Sequence, residues 1–239
     1  MEYELICGDC FKKMKEIPEH SVDLILTDPP YNLSQYSTGN MKFNWRTERN
    51  NDIAEWDKEI FNPQKLLNEF KRIISPKGNI FIFCSYNLLG EYHKYFNSEF
   101  DTFQFLVWHK TNPVPNFRKT SFLNSCELVV CCWNKGHIWN FTKQSEMHNY
   151  IESSICMGGE RIKAADGTFL HPTQKPIKIL KKIIEIASNE GSIVLDCFGG
   201  VNSTGEAALQ LRRRYIGIEI NPVYYQASVD RLKKYQDVK

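Results

Sequence analysis

One short segment of the sequence combines residue types that could bind an amine, namely Asp28-Pro29-Pro30-Tyr31. It follows the apolar run Val22–Leu26, whose β-branched members predict a buried strand. Proline has a fixed φ and no N–H donor, so the turn offers a carboxylate and carbonyl oxygens without competing donors. These acceptors suit the hydrogens of a substrate amine, and the ring of Tyr31 is suited to stacking on a planar base. A rigid turn with a packed tyrosine is the structural alternative.

A second segment, Leu195–Gly205, predicts a glycine-rich turn between a strand and a helix. Glycine lets the backbone approach a ligand closely, and the N–H groups at a helix N-terminus attract an anion. Glu219 lies about 20 positions beyond Asp196, the spacing of an acidic residue that binds ribose hydroxyls. The pattern Gly-x-Gly-x-x-Gly is absent, which disfavours a dinucleotide and favours a nucleoside cofactor with a carboxylate, such as S-adenosylmethionine. An ordinary connection between a strand and a helix could carry the same glycines.

Both segments must be held by surrounding strands and helices, which the apolar pattern predicts in alternation along most of the chain. The predicted strands are Leu5–Cys7, Val22–Leu26, Asn79–Cys84, Phe103–Trp108, Leu128–Trp133, Ile193–Leu195 and Tyr215–Ile218. The predicted helices cover about 11–17, a stretch from the cap Asn62-Pro63 to Ile74, a stretch after Pro176, about 203–213, and a stretch after Asn221-Pro222. Repeated β–α units with buried strands are typical of an α/β protein with a doubly wound sheet.

Two segments lack this periodicity. Residues 32–57 are polar and predict a long mobile loop after the proline-containing turn. Residues 136–170 are polar and irregular, and they predict a small insert within an otherwise single domain of residues 1–239.

Composition is that of an ordinary globular protein. The 239 residues are 42% hydrophobic and 24% charged, which excludes a disordered, collagen-like or coiled-coil protein. No apolar run approaches the roughly 20 residues that cross a bilayer, so we expect no membrane partner. No export signal is recognised, so we expect a cytoplasmic protein with eight reduced cysteines. Cys7-x-x-Cys10 has no second pair with ligand spacing, which predicts no metal site, and the net charge of +2 neither requires nor excludes nucleic acid.

The proline-containing turn and the glycine-rich turn, in this order, resemble the β-class amino-methyltransferases of DNA. Four further elements of that family are similar to segments here, namely Cys7-Gly8-Asp9, Trp108–Pro115, Glu127 and His171–Pro176. The resemblance covers most of the chain, and the combination is more specific than any single motif. It implies a Rossmann-like, doubly wound, mostly parallel sheet in the circularly permuted order of class I methyltransferases, with target recognition in the insert at 136–170.

The resemblance also implies which residues form the site. The catalytic residues would be Asp28, Pro29, Pro30 and Tyr31. S-Adenosylmethionine would be bound by Asp9, Cys10, Asp28, His171, Thr173, Lys175, Asp196, Phe198, Gly200, Asn202, Ser203, Thr204, Glu219, Ile220 and Asn221. After the proline-rich stretch, the candidates for contact with DNA phosphates are Lys110, Asn116, Arg118 and Lys119.

One departure from the family lies in the glycine-rich turn. The family usually has Gly-Ser-Gly-Thr where this chain has Gly200-Val201-Asn202-Ser203. Asparagine is the non-glycine residue that best tolerates a positive φ, so the turn can keep its shape. The property that this departure affects is the affinity for the cofactor.

The resemblance predicts transfer of a methyl group from S-adenosylmethionine to the N6 amine of adenine in a short DNA sequence. Within the family an aspartate at the first motif position goes mostly with adenine and a serine is common in N4-cytosine enzymes, so the N4-cytosine reaction is the alternative. A non-catalytic DNA- or nucleotide-binding module, and an enzyme that acts on RNA or a small amine, are further alternatives. The expected partners are DNA and a cognate restriction endonuclease, and the expected state is a monomer or a homodimer.

Overall fold

A computed structural model describes residues 2–31, 41–43, 46–49, 61–117, 119–164 and 166–236. The strands in these parts of the chain are β1 (Tyr3–Cys7), β2 (Val22–Thr27), β3 (Met41–Phe43), β4 (Arg46–Arg49), β5 (Ile74–Cys84), β6 (Thr102–Lys110), β7 (Cys126–Trp133), β8 (Tyr150–Ser153), β9 (Ile193–Asp196) and β10 (Arg214–Glu219). Eight of them form one sheet in the order β1-β10-β9-β2-β5-β7-β6-β8. β3 and β4 form a separate antiparallel pair.

The helices that connect the strands are α1 (Cys10–Lys13), α2 (Pro63–Ile73), α3 (Leu89–Phe96), α4 (Ile177–Ala187), α5 (Ser203–Gln210) and α6 (Pro222–Leu232). α2 and α6 both begin as the sequence predicts. The side-chain oxygen of Asn62 accepts the N–H of Gln64, and that of Asn221 accepts the N–H of Val223. A proline follows each cap at the first helical position, where its missing N–H donor has no cost.

The sheet is mostly parallel and is covered on both faces. Only β7 runs against its neighbours, since it is antiparallel to β5 and to β6. Along β2, Ile25 belongs to the same core cluster as Phe70 of α2 on one face, whereas Leu24 and Leu26 belong to the cluster of Ile183 of α4 on the other. This arrangement confirms the predicted doubly wound sheet.

The order of the strands reverses between β2 and β9, which lie side by side at the centre of the sheet. From β9 the chain passes through α5 to β10 on one side, and from β2 it passes through α2 to β5 on the other. The two central strands are parallel, with Leu24 opposite Val194 and Ile25 opposite Leu195. In open α/β sheets, ligands bind at the carboxyl ends of strands at such a switch point.

Several elements differ from those that the sequence predicts. α5 ends at Gln210 and not at Arg213, because the backbone reverses at Arg212 with φ of 60°. α3 was not predicted, since it has no capping side chain and contains Gly90. β5 starts at Ile74, immediately after α2, although Ser75-Pro76 predicts a break.

The two segments predicted to be irregular contain strands. β8 lies within residues 136–170 and extends the main sheet by pairing with β6, and its four residues are too few to show a clear alternation. Within 32–57, β3 and β4 form their antiparallel pair, and the rest of that predicted loop lies outside the described residues. No helix in the described ranges has the length and apolar character that crossing a membrane requires. All eight cysteines lie in the described ranges and carry free thiols.

Candidate active site

A cavity of about 480 Å³ lies at the carboxyl ends of β1, β2, β9 and β10. Its volume is that of a small-molecule site, and the N-terminus of α2 and residues 171–175 complete its wall. The predicted site residues that line it are Asp9, Cys10, Asp28, Pro30, His171, Thr173, Lys175, Asp196, Phe198, Gly200, Ser203, Thr204, Glu219 and Ile220. The proline-containing turn and the glycine-rich turn, remote in sequence, therefore contribute to one cavity.

Glu219, at the end of β10, holds the glycine-rich turn against the start of α6. Its Oε2 accepts the N–H of Gly200 at 2.7 Å, and its Oε1 accepts the N–H of Asn221 at 2.7 Å. Burial raises the pKa of this carboxyl, and the two backbone donors oppose the increase. Since a carboxylate oxygen can accept more than one hydrogen bond, Glu219 can also accept from a ribose hydroxyl of a ligand.

Asp196, at the end of β9, connects the ends of the two central strands. Its Oδ1 accepts the hydroxyl of Thr27, the last residue of β2, at 2.8 Å, and the N–H of Phe198 at 3.1 Å. Burial raises the pKa of Asp196 to about 6, although the hydroxyls of Thr204 and Thr27 oppose the increase. This side chain therefore shapes the glycine-rich turn and fixes it to the strand that carries Asp28.

At the edge of the cavity nearest β1, Asp9 caps α1. Its Oδ1 accepts the N–H of Phe11 at 2.8 Å, and the preceding Gly8 donates its N–H to the carbonyl oxygen of Glu219 at 2.9 Å. The adjacent Cys10 is buried, and burial raises the pKa of its thiol to about 12. Cys10 therefore stays a neutral, apolar part of the wall at neutral pH.

His171 packs against the glycine-rich turn. Gly200 has φ of +54°, and a Cβ at this position would lie 2.9 Å from Nε2 of His171, so the turn requires glycine here. The imidazole also lies against the ring of Tyr224, with 4.9 Å between the ring centroids. Burial lowers the pKa of His171 to about 4, with a further contribution from Lys175. His171 is therefore neutral near pH 7 and positions the turn.

Asp28 lies within a buried group of charged side chains. Its Oδ1 accepts the hydroxyl of Tyr31 at 2.6 Å, and its Oδ2 accepts Nζ of Lys175 at 2.5 Å. Lys175 also reaches Oε2 of Glu127 at 3.3 Å, and Oε1 of Glu127 pairs with Nζ of Lys110 at 2.7 Å. We call these five side chains the Asp28 cluster.

The Asp28 cluster combines two carboxylates with two ammonium groups, so its charges compensate one another. Burial raises the pKa of Asp28, and the neighbouring Lys175 opposes this increase. Burial disfavours the charged form of Lys175, but the carboxylates of Asp28 and Glu127 outweigh it and raise the pKa of the lysine. Burial likewise acts against ionisation of Glu127, and the two lysines outweigh it and lower the pKa. Lys175 and Glu127 are therefore both ionised near pH 7.

Four predicted site residues are absent from the lining of the cavity as far as the structure describes it: Pro29, Tyr31, Asn202 and Asn221. Pro29 is buried beneath the turn, and Tyr31 supports Asp28 through its hydroxyl. The side chain of Asn221 caps α6 by accepting the N–H of Val223, and the contact of Asn221 with the cofactor stays a prediction.

Asn202 likewise differs from a residue that lines the cavity. It has φ of 53° and ψ of 47°, which confirms the positive φ predicted for this position. However, its side chain is fully buried and is not part of the cavity lining, and its Oδ1 accepts the hydroxyl of Tyr215. Its amide nitrogen has no hydrogen-bond partner among the described residues. Asn202 thus supports the turn from behind and does not line the cavity.

The four candidates for DNA contact differ in what the structure shows of them. Lys110 is paired with Glu127 in the Asp28 cluster and only 13% of its side chain is exposed, which disfavours a contact with a phosphate. Asn116 builds a turn, in which its amide donates to the carbonyl oxygen of Ser121 and its Oδ1 accepts the N–H of Lys119. Lys119 is exposed, and Arg118 lies outside the described residues.

The sequence did not predict part of the cavity wall. Phe61, Asn62 and Lys65, at the start of α2, line the cavity, and the ring of Phe61 meets that of Phe198 edge to face at 5.7 Å. Nothing in the local pattern around α2 indicates this, because the contact depends on how α2 crosses the sheet. The pairing of Glu127 with Lys175 likewise depends on the tertiary structure, although the family resemblance indicated both residues.

The wall of the cavity fits S-adenosylmethionine. The acidic side chains Asp9, Asp196 and Glu219 can accept from hydroxyl groups and are complementary to a cationic ligand. The rings of Phe61 and Phe198 offer an apolar surface to a planar base. No group of His, Cys, Asp and Glu in the described ranges has the geometry of a metal site.

Comparison with known proteins agrees with this geometry. The model of the DNA methylase family of N6 and N4 methyltransferases matches residues 22–230. The Type II methyltransferase M.HinfI of Haemophilus influenzae is 34% identical over 96% of this chain and 68% of its own length. The Type II methyltransferase M2.DpnII of Streptococcus pneumoniae is 29% identical over 96% of this chain and 89% of its own.

Solved structures show the same fold. The complex of M1.HpyAVI with S-adenosylmethionine aligns with a TM-score of 0.67 and 27% identity over 96% of this chain and all of its own. The cytosine-N4-specific PvuII DNA methyltransferase aligns with a TM-score of 0.68 over 99% of this chain and 91% of its own, and its 17% identity supports the fold alone. From the family match, the relatives and the cavity, the chain belongs to the S-adenosylmethionine-dependent DNA methylases.

Proposed function

We propose that this methyltransferase transfers the methyl group of S-adenosylmethionine to the N6 amine of adenine within a short DNA sequence. The observation that carries the proposal is the position of Asp28 on the wall of the same cavity as Asp196 and Glu219. An acceptor for an amine therefore lies beside the acidic wall that suits the cofactor. The family resemblance supports adenine as the target base, because an aspartate at this position goes mostly with adenine in that family.

The adenine amine is a poor nucleophile because its lone pair is delocalised into the ring. Asp28 and the carbonyl of Pro29 would accept its two N–H hydrogens, which frees the lone pair for in-line attack. Bound S-adenosylmethionine supplies a methyl group on a sulfonium, so the new N–C bond forms as the C–S bond breaks. The nitrogen becomes positively charged, and it then loses its surplus proton to Asp28.

Because Asp28 is charged, its hydrogen bond with the amine stabilises the transition state more than the ground state. Hydrogen bonds to a charged group contribute about 1.5–3 kcal/mol each, and the positive charge on the amine strengthens as the methyl group arrives. The adenine must first leave the duplex, which costs a few kcal/mol. We predict that the adenine stacks on Tyr31, and this stacking would offset part of the cost of leaving the duplex.

The hydroxyl of Tyr31 holds Asp28 in place. Burial, and then the charge of Asp28, raise the pKa of this phenol well above its usual value, so the hydroxyl stays protonated and donates to the carboxylate. The catalytic turn would thus contribute two acceptors, the carboxylate of Asp28 and the carbonyl of Pro29, together with the hydroxyl of Tyr31 that orients Asp28.

We also propose that the loop between β6 and β7 contacts DNA. Its two ends carry Lys110 and Glu127 of the Asp28 cluster, so the loop is attached directly beside the catalytic turn. Within it Lys119 is exposed and the side chain of Phe122 is fully exposed. A lysine can neutralise a phosphate, and an aromatic ring can stack on bases. Target recognition by residues 136–170 is a separate proposal that rests on the resemblance.

The experiment that tests the proposed reaction uses tritiated S-adenosylmethionine and unmethylated DNA of mixed sequence. After digestion to nucleosides, the label is expected in N6-methyl-2′-deoxyadenosine. Label in N4-methyldeoxycytidine would assign the alternative reaction instead, and labelled RNA or small amines without labelled DNA would contradict both. Cofactor binding by calorimetry without any transfer would indicate a non-catalytic module.

The biological setting is a further proposal. The relatives named Type II methyltransferases support a modification enzyme with a cognate restriction endonuclease in the cytoplasm. DNA from cells that express this chain would then resist one restriction enzyme of matching specificity, and sequencing of its methylation pattern would give the recognition sequence. Sedimentation would separate the proposed monomer from the proposed homodimer.

A further inference from the structure

The carboxylate that should accept the target amine already has a donor on each oxygen. Tyr31 donates to Oδ1 of Asp28 at 2.6 Å, and Lys175 donates to Oδ2 at 2.5 Å. Lys175 comes from the segment before α4, far from Asp28 in sequence, and its side chain is 8% exposed. The ammonium of Lys175 therefore occupies one acceptor position of the carboxylate that would bind the target amine, and its positive charge weakens Asp28 as an acceptor for that amine.

Lys175 has a second anionic acceptor within reach. Its Nζ lies 3.3 Å from Oε2 of Glu127, which is farther than an optimal charged hydrogen bond. Lys110 holds the other oxygen of Glu127 at 2.7 Å, so this carboxylate is fixed in place at the base of the β6–β7 loop. A small movement of the Lys175 ammonium would exchange its short contact with Asp28 for a short contact with Glu127.

We propose that Lys175 is a positioning residue that neutralises Asp28 in the enzyme without target base and moves to Glu127 when the target amine enters. The inference rests on the proposed function of Asp28 as the acceptor of that amine. Glu127 acts through Lys175 in this scheme, since its carboxylate is the second acceptor for the ammonium. The exchange leaves the total charge of the Asp28 cluster unchanged, and it keeps the ammonium of Lys175 beside the two carboxylates instead of moving a charge out of the low-dielectric site.

Removing the ammonium of Lys175 should change the pH at which Asp28 ionises. The charged and titratable groups that act on Asp28 are Lys175, Glu127, Tyr31, Cys84, Tyr92 and Asp196. Among them Lys175 provides the positive charge, and burial already raises the pKa of Asp28. Without Lys175 the pKa of Asp28 rises further, so the active ionised form needs a higher pH.

The test replaces Lys175 by methionine, which keeps the length of the side chain and removes its charge. The rate of tritiated methyl transfer is measured at saturating cofactor and limiting DNA as a function of pH, so that the profile reports ionisation in the enzyme without target base. We expect the acid limb of the profile of Lys175→Met to move to higher pH, and each unit of that shift lowers the rate about tenfold at a pH below both limbs. Lys175→Arg, which keeps the charge, should bring the limb back towards that of the wild type.

The matched control is Lys178→Met, which changes an exposed lysine three positions away at the start of α4. Its profile should coincide with that of the wild type. A merely structural role of Lys175 would lower stability and rate alike at every pH, without displacing the limb. An acid limb of Lys175→Met that coincides with that of the wild type overturns the proposal.

Glu127→Gln provides an independent arm, which decides the matter if Lys175→Met does not fold. This variant weakens the second acceptor of Lys175, so the ammonium stays on Asp28 and opposes entry of the base. We expect the DNA concentration at half-maximal rate to rise roughly fivefold or more, while the acid limb does not move upwards, because a carboxylate that raises the pKa of Asp28 is gone. An unchanged DNA requirement overturns the proposal. If wild-type protein makes no N6-methyladenine, it is the proposed function that fails.

Discussion

Asp28 combines its proposed catalytic role with burial, and its neighbours determine whether it is ionised. Replacement by asparagine keeps its volume and removes its charge, so it separates the charge from the shape of the turn. We expect Asp28→Asn to slow methyl transfer by about 10²–10³-fold, the usual cost of losing one preorganised electrostatic contact to a transition state. Asp28→Ala should abolish turnover, since it removes both the charge and the acceptor.

Cofactor binding should survive both substitutions, because Asp28 forms only one side of the cavity. Calorimetry with S-adenosylmethionine checks this, and the control is Asp230→Asn, which changes an exposed aspartate on α6. Methyl transfer by Asp28→Ala at the rate of the wild type would show that another group accepts the amine.

Asn202 gives a second prediction at the level of a single residue. Asn202→Gly relieves a positive φ but loses the hydrogen bond from Tyr215, and the loss of a buried hydrogen bond costs about 1–3 kcal/mol. Asn202→Ala loses the same bond and also keeps a Cβ in the left-handed region, at about 1–2 kcal/mol more. In urea unfolding we therefore expect stability to fall in the order wild type, Asn202→Gly, Asn202→Ala.

Affinity for the cofactor should behave differently from stability in these variants. Asn202 does not line the cavity, so Asn202→Gly should bind S-adenosylmethionine as tightly as the wild type or more tightly. A clear loss of affinity in calorimetry would mean that the turn depends on the asparagine side chain for its shape.

Among the elements, the contact between the ends of β2 and β9 is the one on which the site depends. The hydroxyl of Thr27 donates to Asp196 across this contact at 2.8 Å, and both side chains are buried. Thr27→Val keeps the shape and removes the donor, so we expect a loss of about 1–3 kcal/mol in the free energy of unfolding.

A matched control exists in Thr168, whose hydroxyl also donates to an aspartate, Asp166, but on the exposed surface. Thr168→Val should change the free energy of unfolding by less than about 0.5 kcal/mol. Equal effects of the two substitutions in urea unfolding would show that the contact between β2 and β9 contributes nothing special to stability.

The same contact has a consequence for the dependence of stability on pH. Burial raises the pKa of Asp196 to about 6, above its ordinary value of 3.8, so the folded chain binds a proton that the unfolded chain has lost in this range. The stability contributed by Asp196 is therefore complete below about pH 4 and falls by about 3 kcal/mol as the pH rises through 6. Urea unfolding of wild type and Asp196→Asn between pH 4 and 8 isolates this group, and parallel curves would contradict the assignment.

For the whole molecule, the exposed loop between β6 and β7 predicts how the enzyme meets DNA. Phe122→Ala should weaken binding to duplex DNA about tenfold, because stacking of an aromatic ring on bases contributes about 1–3 kcal/mol. The control is Phe141→Ala, another exposed phenylalanine, which follows the far end of β7. Fluorescence anisotropy gives both affinities, and equal values for the two variants would remove Phe122 from the interface.

Much of the whole fold was predictable from the sequence because its signals are local. The buried runs of β2, β5 and β9 and the Asn-Pro caps of α2 and α6 are visible in the order of residues alone. The resemblance then indicated which turns share the cavity. Short edge elements such as β8 were not predictable, since four residues with one pairing neighbour carry little periodicity.

The partners of the charged side chains were the least predictable part of the site. Lys110 and Lys175 are ordinary lysines in the sequence, and only the folded sheet brings both to Glu127. Burial determines their roles, because a buried lysine beside a carboxylate acts as its counter-ion and is less accessible to a phosphate. Charged residues of this kind can be identified from type and position, but not assigned to a partner.

The position of β10 and β9 between β1 and β2 has a consequence for synthesis of the chain on the ribosome. Among the strands of the main sheet, β1 is translated before the other seven, yet it pairs with β10, which is translated after the other seven. Asp28 is translated early, but the wall opposite it is absent until the ribosome has passed Glu219. A nascent chain that has not yet reached Glu219 therefore lacks one wall of the cavity, and we expect it to bind no cofactor.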